Sequence, residues 1–568
     1  MDAPAAPTAR AVADAYVDAL VRLDPAVATA LGVPSDAMPD LSPAGLGARA
    51  DLARRTLADL ADATQPEDDD RRCATLLRER LTTQLATHDA GEDLRTLRPI
   101  GSPLQGLRSI FLMMPTATEE DWSVVARRLR DVPRAAEGYR ATLCAGIAAG
   151  RVSAPRQVGS AVRQLGAWLG PDGGTDWYSD FVAAGPAPLA DELAAAARGA
   201  AAAVADLRAW LASEYAGAAA EVPDAVGRDR YVLAARTTTG AVIDPDEAYA
   251  WAWAELGRIE AEMAGQAELV LPGANVPDVL THLAAHGPAI EGVEEVRAHL
   301  QSLMDAAVRT LDGTLVDIPG PVRTVEAMIA PAGSAAAPYY TRPSLDFARP
   351  GRTWLPTLGH ERFPLWDLVS TWFHEGVPGH HLQFGMWAYL ADRLSRYQVS
   401  VGSVPATTEG WALYAERVMD ELGHLAGPGE RLGYLDAQRM RAVRVVIDIG
   451  MHLELEIPDD EPAGADLLAA AGLAAGSRWT PALAREFFGR HSGRAGDFLD
   501  SEIDRYLGWP GQAISYKLGE RAWLAGRAAS QARAAALGRA WDAKGWHTAA
   551  LALGSLGLDD LERELTAL

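Results

Sequence analysis

The chain has 568 residues, 49% of them hydrophobic and 23% charged, and carries a formal net charge of −24. That is enough apolar material for a large core in more than one domain, and the acidic balance lacks the basic footprint of a nucleic-acid binder. The only two cysteines, Cys73 and Cys144, form no C-x-x-C pair, which excludes a cysteine-ligated metal site and a disulfide framework and leaves two buried thiols in helical contexts.

No apolar run is long enough to cross a membrane, and the first residues, "MDAPAAPTARAVADAYVDAL", hold no basic segment followed by an apolar one. A cytoplasmic protein with no membrane partner and no nucleic-acid partner is therefore expected. Helical periodicity starts in "ARAVADAYVDALVRLD", with apolar residues at three- and four-residue steps. It continues through "EEDWSVVARRLRDVPRAAEGYRATLCAGIAAG", which is expected to divide at Pro133, because an interior proline removes a backbone donor. "PLADELAAAARGAAAAVADLRAWLASEYAGAA" reads as a long alanine-rich helix opened by Pro188 and Asp191. "DPDEAYAWAWAELGRIEAEMAGQAELVL" reads as another, capped by Asp244 with Pro245 in its first turn. Composition shifts near 220–235, which suggests an N-terminal helical lobe over 1–230 and a C-terminal catalytic lobe over 231–568. Strand signal is confined to "GPVRTVEAMIAP" and "GRTWLPTL"; the Pro- and Gly-rich "AGSAAAPYYTRPSLDFARPG" between them reads as loop. The predicted fold is mainly α: two helical lobes around a deep cleft, with a small antiparallel β-sheet beside a metal site.

That metal site is suggested by "FHEGVPGHHLQ", residues 373–383. A catalytic zinc takes three protein ligands and keeps one position open. Histidines at i and i+4 of a helix are about 6 Å apart along its axis and about 40° apart around it, so H-E-x-x-H puts both on one ion. Here His374 and His380 are at i and i+6, which on a straight helix means about 120° and about 9 Å; His381, at i+7, returns to the right face but lies about 10.5 Å up the axis. Pro378 and Gly379 lie between them and can loop out, so a local bulge absorbing two residues would restore the H-E-x-x-H geometry, with Glu375 beside the first ligand as general base. The preceding run, "PLWDLVSTWFHE", places Leu365, Leu368, Val369 and Trp372 on one stripe, which would anchor the pair His374–Glu375. A third donor is offered by Glu409 in "VPATTEGWALYAERVMDELG", expected in the first turn of a helix capped by Thr407 or Thr408. Spacing leaves two roles open for Glu409, metal ligand or complement to the helix dipole.

The stretch HExxPGHxxQ, here His374 to Gln383, followed by "TEGWALYAE", resembles the bacterial domain-of-unknown-function family numbered 885. "PLQGL", "APYYTRPSLDFARPG" and "PGQAISYKLGE" extend the resemblance over most of the chain. That family in turn resembles the helical gluzincin metallopeptidases, such as the thimet-oligopeptidase and carboxypeptidase groups. The resemblance implies His374, His380 and Glu409 as ligands of one zinc per chain, Glu375 as base, and His380 in preference to His381.

Other residues are candidates for supporting parts. Asp448 and His452 are at i and i+4 of one helix, either a carboxylate charging an imidazole for an oxyanion or a structural polar pair. Tyr516 and Lys517 follow a Pro-Gly turn in a helix expected to begin near Gln512; Lys517 is one of only two lysines, and the pair would steady an oxyanion or bind a carboxylate, or else simply pack. Tyr339, Tyr340 and Arg349 would line the substrate's path, and Gln383 would brace the site beside Asp448. His282 and His286 share a helix face without a glutamate pattern, and read as a helix end. The expected function is a zinc metallopeptidase of carboxypeptidase or dipeptidase type acting on short peptides or small amides. Its rivals are a zinc hydrolase or lyase of a non-peptide biosynthetic intermediate, and a metal-free helical binding protein.

Overall fold

The computed structural model describes residues 6–170, 174–331, 337–494 and 496–568. The chain is mainly helical and divides into two compact units. The first is made of residues 1–64, 80–226 and 500–510; the second of 65–79, 227–499 and 511–568.

The first unit is built around two long helices, α1 (Glu119–Ala148) and α2 (Ala190–Trp210). Thr118 opens α1 with a reciprocal cap: its hydroxyl accepts from Asp121 N at 3.1 Å and the Asp121 carboxylate accepts from Thr118 N at 2.8 Å. Pro133 does not divide this helix. Leu129, Val132, Ala136, Tyr139 and Leu143 are all buried on either side of it, and that burial outweighs the roughly 3 kcal/mol an interior proline costs. They pack against Leu193, Ala197, Val204 and Leu207 of α2. The alanine-rich run is not one regular helix: it opens with a short 3₁₀ turn at Ala187–Leu189 and passes through a π turn at Leu211–Tyr215.

The second unit holds α3 (Arg228–Thr239) and α4 (Pro245–Val270), the latter capped as expected by Asp244, whose carboxylate accepts from Asp246 N and Glu247 N. Then come β1 (Ala289–Glu291), α5 (Val293–Leu311), β2 (Val325–Ile329), β3 (Tyr339–Thr341), β4 (Gly351–Leu355) and β5 (Arg362–Pro364). The sheet differs from expectation in two ways. It is mixed, in the order β2-β4-β3, with β2 parallel and β3 antiparallel to β4. Alternation of buried residues marks a strand but not its direction, and the "YYT" of β3 is too short to stand out from its loop; residues 332–336 of that loop lie outside the described ones. A second pair, β1 with β5, is antiparallel and leads straight into the next helix.

That helix is α6 (Leu365–Glu375), followed by α7 (His380–Tyr389), α8 (Pro405–Glu421), α9 (Pro428–Leu453) and α10 (Ser515–Ala536). Helix α9 is buried nearly all round, as for a helix at the centre of its unit: Leu432, Leu435, Val443, Val446, Ile447 and Ile449 are buried, and so are the polar Asp436, Gln438, Arg439, Arg441 and Asp448. Of the two cysteines, Cys73 is buried but Cys144 is exposed, against the expectation of two buried thiols. Among the described residues no helix is long and apolar enough to cross a membrane.

Candidate metal centre

The break between α6 and α7 is where the sequence set its puzzle. The chain does not bulge within one helix; α6 stops at Glu375, Gly376–Gly379 form a turn, and a new helix begins at His380. His374 is thus in the last turn of one helix and His380 is the first residue of the next. Gly379 is required by close approach, since a Cβ there would stand 1.8 Å from the carbonyl oxygen of His374. The turn is pinned from the side by Trp411 of α8, whose indole N–H donates to the carbonyls of Pro378 (2.9 Å) and Gly379 (3.1 Å). The same helix carries Glu409, so the contact that fixes the turn also sets the distance from Glu409 to the two histidines.

The three groups converge. Ligand-type atoms of His374, His380 and Glu409 all lie within 4.8 Å of one another. Glu409 Oε2 is 3.4 Å from His374 Nε2 and 3.7 Å from His380 Nε2, and the two imidazole centres are 4.9 Å apart. Two imidazole nitrogens and one carboxylate oxygen form the donor set of a zinc site with a position left open. Glu409 is not in a first turn, and neither threonine caps its helix. Helix α8 begins at Pro405; Thr407 donates to the carbonyl of Leu556, and Thr408 donates to that of Pro405.

The sequence reading missed the residue that orients His374. Glu416 is seven residues after Glu409, hence two turns on along the same face of α8. It is fully buried and accepts from His374 Nδ1 at 2.8 Å and from Ser370 Oγ at 2.5 Å, and it pairs with Arg441 of α9 at 3.0 Å. A carboxylate on Nδ1 fixes the tautomer that turns Nε2 toward the shared point.

The electrostatics follow from burial and this crowding. Burial opposes charge on His374, but its hydrogen bonds to Glu409 and Glu416 outweigh that and lift it to about 9. Burial lowers His380 to about 4. Burial would raise Glu409, but the His374 hydrogen bond and the neighbouring positive charges bring it down to about 2. Glu375 is raised to about 7, by burial and by repulsion from Glu409 and Glu416, with His374 and Arg441 acting the other way.

His381 stands apart from this group. Its Nε2–H donates to the Val322 carbonyl at 2.7 Å and its Nδ1 accepts from the Tyr340 hydroxyl at 3.0 Å, so both nitrogens are engaged structurally. Tyr340 is therefore a brace for His381, not an open substrate contact. Tyr339 stacks on Trp354 with centres 5.9 Å apart, and Arg349 is exposed in a turn tied through its backbone to Ser344. Gln383 reaches the start of α8, its amide 3.5 Å from the Thr407 carbonyl. In place of Arg349, the neighbouring guanidinium is Arg342, which lies 3.7 Å over the ring of Phe384; that ring in turn stacks on His380 with centres 5.6 Å apart.

Lys517 and His452 are not brought to the triad. The ammonium of Lys517 has three donors, and it meets Glu255 (2.8 Å), Gln438 (2.9 Å) and Glu520, so none is left to bind a substrate carboxylate. His452 is eleven residues beyond Arg441 on α9, about 16 Å along the axis from the residue that touches His374. It packs against Tyr231, and Asp448 accepts from the Tyr231 hydroxyl at 2.7 Å and from Gly511 N at 2.9 Å. Tyr516 is better placed. Helices α8 and α10 cross where Gly410 meets Gly519, with room for neither to carry a side chain, so Glu409 sits beside the crossing and Tyr516 one turn before it. Arg444 lies 5.4 Å from the Tyr516 ring centre.

Comparison with known proteins bears on the fold. The profile of a family described as "Bacterial protein of unknown function (DUF885)" matches residues 25–565. The structure is similar to that of a "putative lipoprotein" from Colwellia psychrerythraea, with a TM-score of 0.78 at 20% identity over 99% of each chain. It is also similar to that of a "putative lipoprotein of unknown function" from Shewanella oneidensis, with a TM-score of 0.73 at 15% identity over 99% of this chain and 100% of the other. No curated protein matches the chain. The two neighbours overturn the expectation of a cytoplasmic location: a lipoprotein is held at a membrane by acyl chains and not by a spanning helix, so the lack of such a helix carries no location.

Proposed function

The chain belongs to the DUF885 family of bacterial proteins, and we propose that it is a zinc-dependent hydrolase that cleaves the amide bonds of short peptides, with Glu375 as general base. The reading is carried by one observation, the convergence of His374, His380 and Glu409 within 4.8 Å across a broken helix. The donor set suits zinc, and the Glu416 carboxylate on His374 Nδ1 is the support such a ligand needs. A zinc ion held there supplies Lewis acidity for a scissile carbonyl and acidifies water. Glu375 accepts the proton of the attacking water at its carboxylate and delivers it to the leaving amine. Tyr516 is the candidate donor to the oxygen on which negative charge develops. The triad is nearly enclosed: the His374, His380 and Glu409 side chains are 5%, 10% and 24% exposed, which favours short substrates over folded chains. The reading also takes HExxPGHxxQ, His374 to Gln383, as an interrupted form of the H-E-x-x-H zinc motif.

The test is elemental analysis of the purified full chain beside a Glu375→Gln variant, together with turnover of a peptide panel. About one zinc per chain is expected in both proteins, with cleavage only in the wild type. A wild type that binds no metal, or a variant that cleaves as fast, overturns the reading. The rival, a metal-free binding protein, draws on the 3.4 Å His374–Glu409 pair, in which a protonated imidazole takes the place of a cation.

A further inference from the structure

Arg342 is a mostly buried cation for which the described structure provides no carboxylate. Its Nη1 donates to the Val399 carbonyl at 3.2 Å, and its face lies against the Phe384 ring. The titratable neighbour whose charge would support it, Tyr340, is neutral at physiological pH. Burial lowers its pKa to about 10, a sign of poor solvation for the charge. Two more deeply buried arginines of this unit have acids: Arg441 has Glu416 and Arg439 has Asp436. A guanidinium offers five donors in a planar fork suited to a carboxylate, and here four of them have no hydrogen-bond partner among the described residues.

Its position relative to the triad gives this a chemical meaning. The His380 and Phe384 ring centres are 5.6 Å apart and the guanidinium carbon is 3.7 Å from the latter, so the guanidinium lies within about 9 Å of the His380 imidazole. One extended residue spans about 3.5 Å. Added to the contact distances at each end, that is the reach of a single residue between a scissile carbonyl at the triad and a carboxylate at Arg342.

We propose that Arg342 is the recognition group for a substrate's free carboxylate, so that the site releases the C-terminal residue of short peptides. The proposal rests on the hydrolase reading for its chemistry, but the carboxylate subsite can be tested without turnover. The full-length, zinc-supplemented protein is titrated with N-acetyl-phenylalanine and with N-acetyl-phenylalaninamide, using wild type, Arg342→Gln and Arg342→Lys. The wild type is expected to bind the acid at least tenfold more tightly than the amide. Arg342→Gln abolishes that preference at unchanged zinc content, and Arg342→Lys keeps part of it, because the charge remains while the fork is lost. Thermal melts show that each variant is folded, and the lysine variant carries the test if the glutamine variant is not. A wild type with no acid preference overturns the proposal, as does a preference that survives in both variants. If binding behaves as expected but no peptide is cleaved, the hydrolase reading fails and the carboxylate subsite stands.

Discussion

Two clusters of buried charge lie in the second unit, and they are resolved in opposite ways. Around Lys517, the ammonium meets Glu255 and Glu520, and Glu255 also accepts from Arg258 at 2.7 Å. Burial pushes Glu255 up, but Arg258 and Lys517 outweigh it and bring it to about 2. That cluster carries its own counter-charges. Around His374, three carboxylates, Glu375, Glu409 and Glu416, face the single guanidinium of Arg441. Buried charge costs several kcal/mol per ion unless it is paired. The first cluster is closed by the chain itself. The second has three carboxylates against one permanent cation, so without metal it is balanced only by protons on His374 and Glu375, and its three donor atoms aimed at one point would let a divalent cation take that part. A buried ionic cluster balanced by permanent charges is structure; one balanced only by protons is a candidate for binding a cation.

The sharpest way to break this contrast is through Glu375. Glu375→Gln keeps the shape and removes the base, so kcat is expected to fall by roughly 10²–10⁴-fold while zinc content is retained. Activity left intact would take Glu375 out of the mechanism. Lys517→Met tests the other side. It strands Glu520 without its cation, leaves Glu255 with Arg258 alone, and is expected to cost about 3–5 kcal/mol in a urea unfolding experiment, with metal content unchanged. Undiminished stability with altered turnover would move Lys517 into the site. Glu416→Gln lies between the two: it weakens the hold on His374 Nδ1, and competition with a chelator should show zinc affinity down by about 10–100-fold. An unchanged affinity would mean that Glu416 only balances Arg441.

The contrast also marks what the sequence could say. His374, Glu375 and His380 were legible because a helix has a fixed pitch and a Pro-Gly insertion is a visible reason to depart from it. How the departure is made was not legible: a bulge and a full helix break look alike until Trp411 and the packing of Gly379 are known. Glu416 had a signal, seven residues from Glu409 on one face, but a lone carboxylate at that spacing is common on any helix. Lys517 stands out because lysine is rare in this chain, but its partners on α4 and α9 are far away in sequence. Arg342 and Arg349 share one loop, and only the stack on Phe384 tells them apart. Apolar periodicity decides the mainly helical class; which charged residue meets which is decided by tertiary packing.

The smallest expected effect separates the two ways in which the second cluster can be balanced. Without metal, His374 is protonated and holds Glu409 and Glu416, with a pKa raised from the ordinary 6.5 to about 9. A raised pKa means a contribution to stability that is full below about 6.5 and is lost as pH climbs through 9. The metal-free protein should therefore melt a few degrees lower at pH 9.5 than at pH 7. With zinc bound, both imidazoles must be neutral, so the same rise in pH should leave the melting temperature of the loaded protein unchanged or higher, and acid should release the metal. Parallel melts of chelated and zinc-loaded protein across that range read the difference directly. Identical pH profiles for the two would mean that His374 does not exchange a proton for the ion, and the imbalance of charge around it would need another partner.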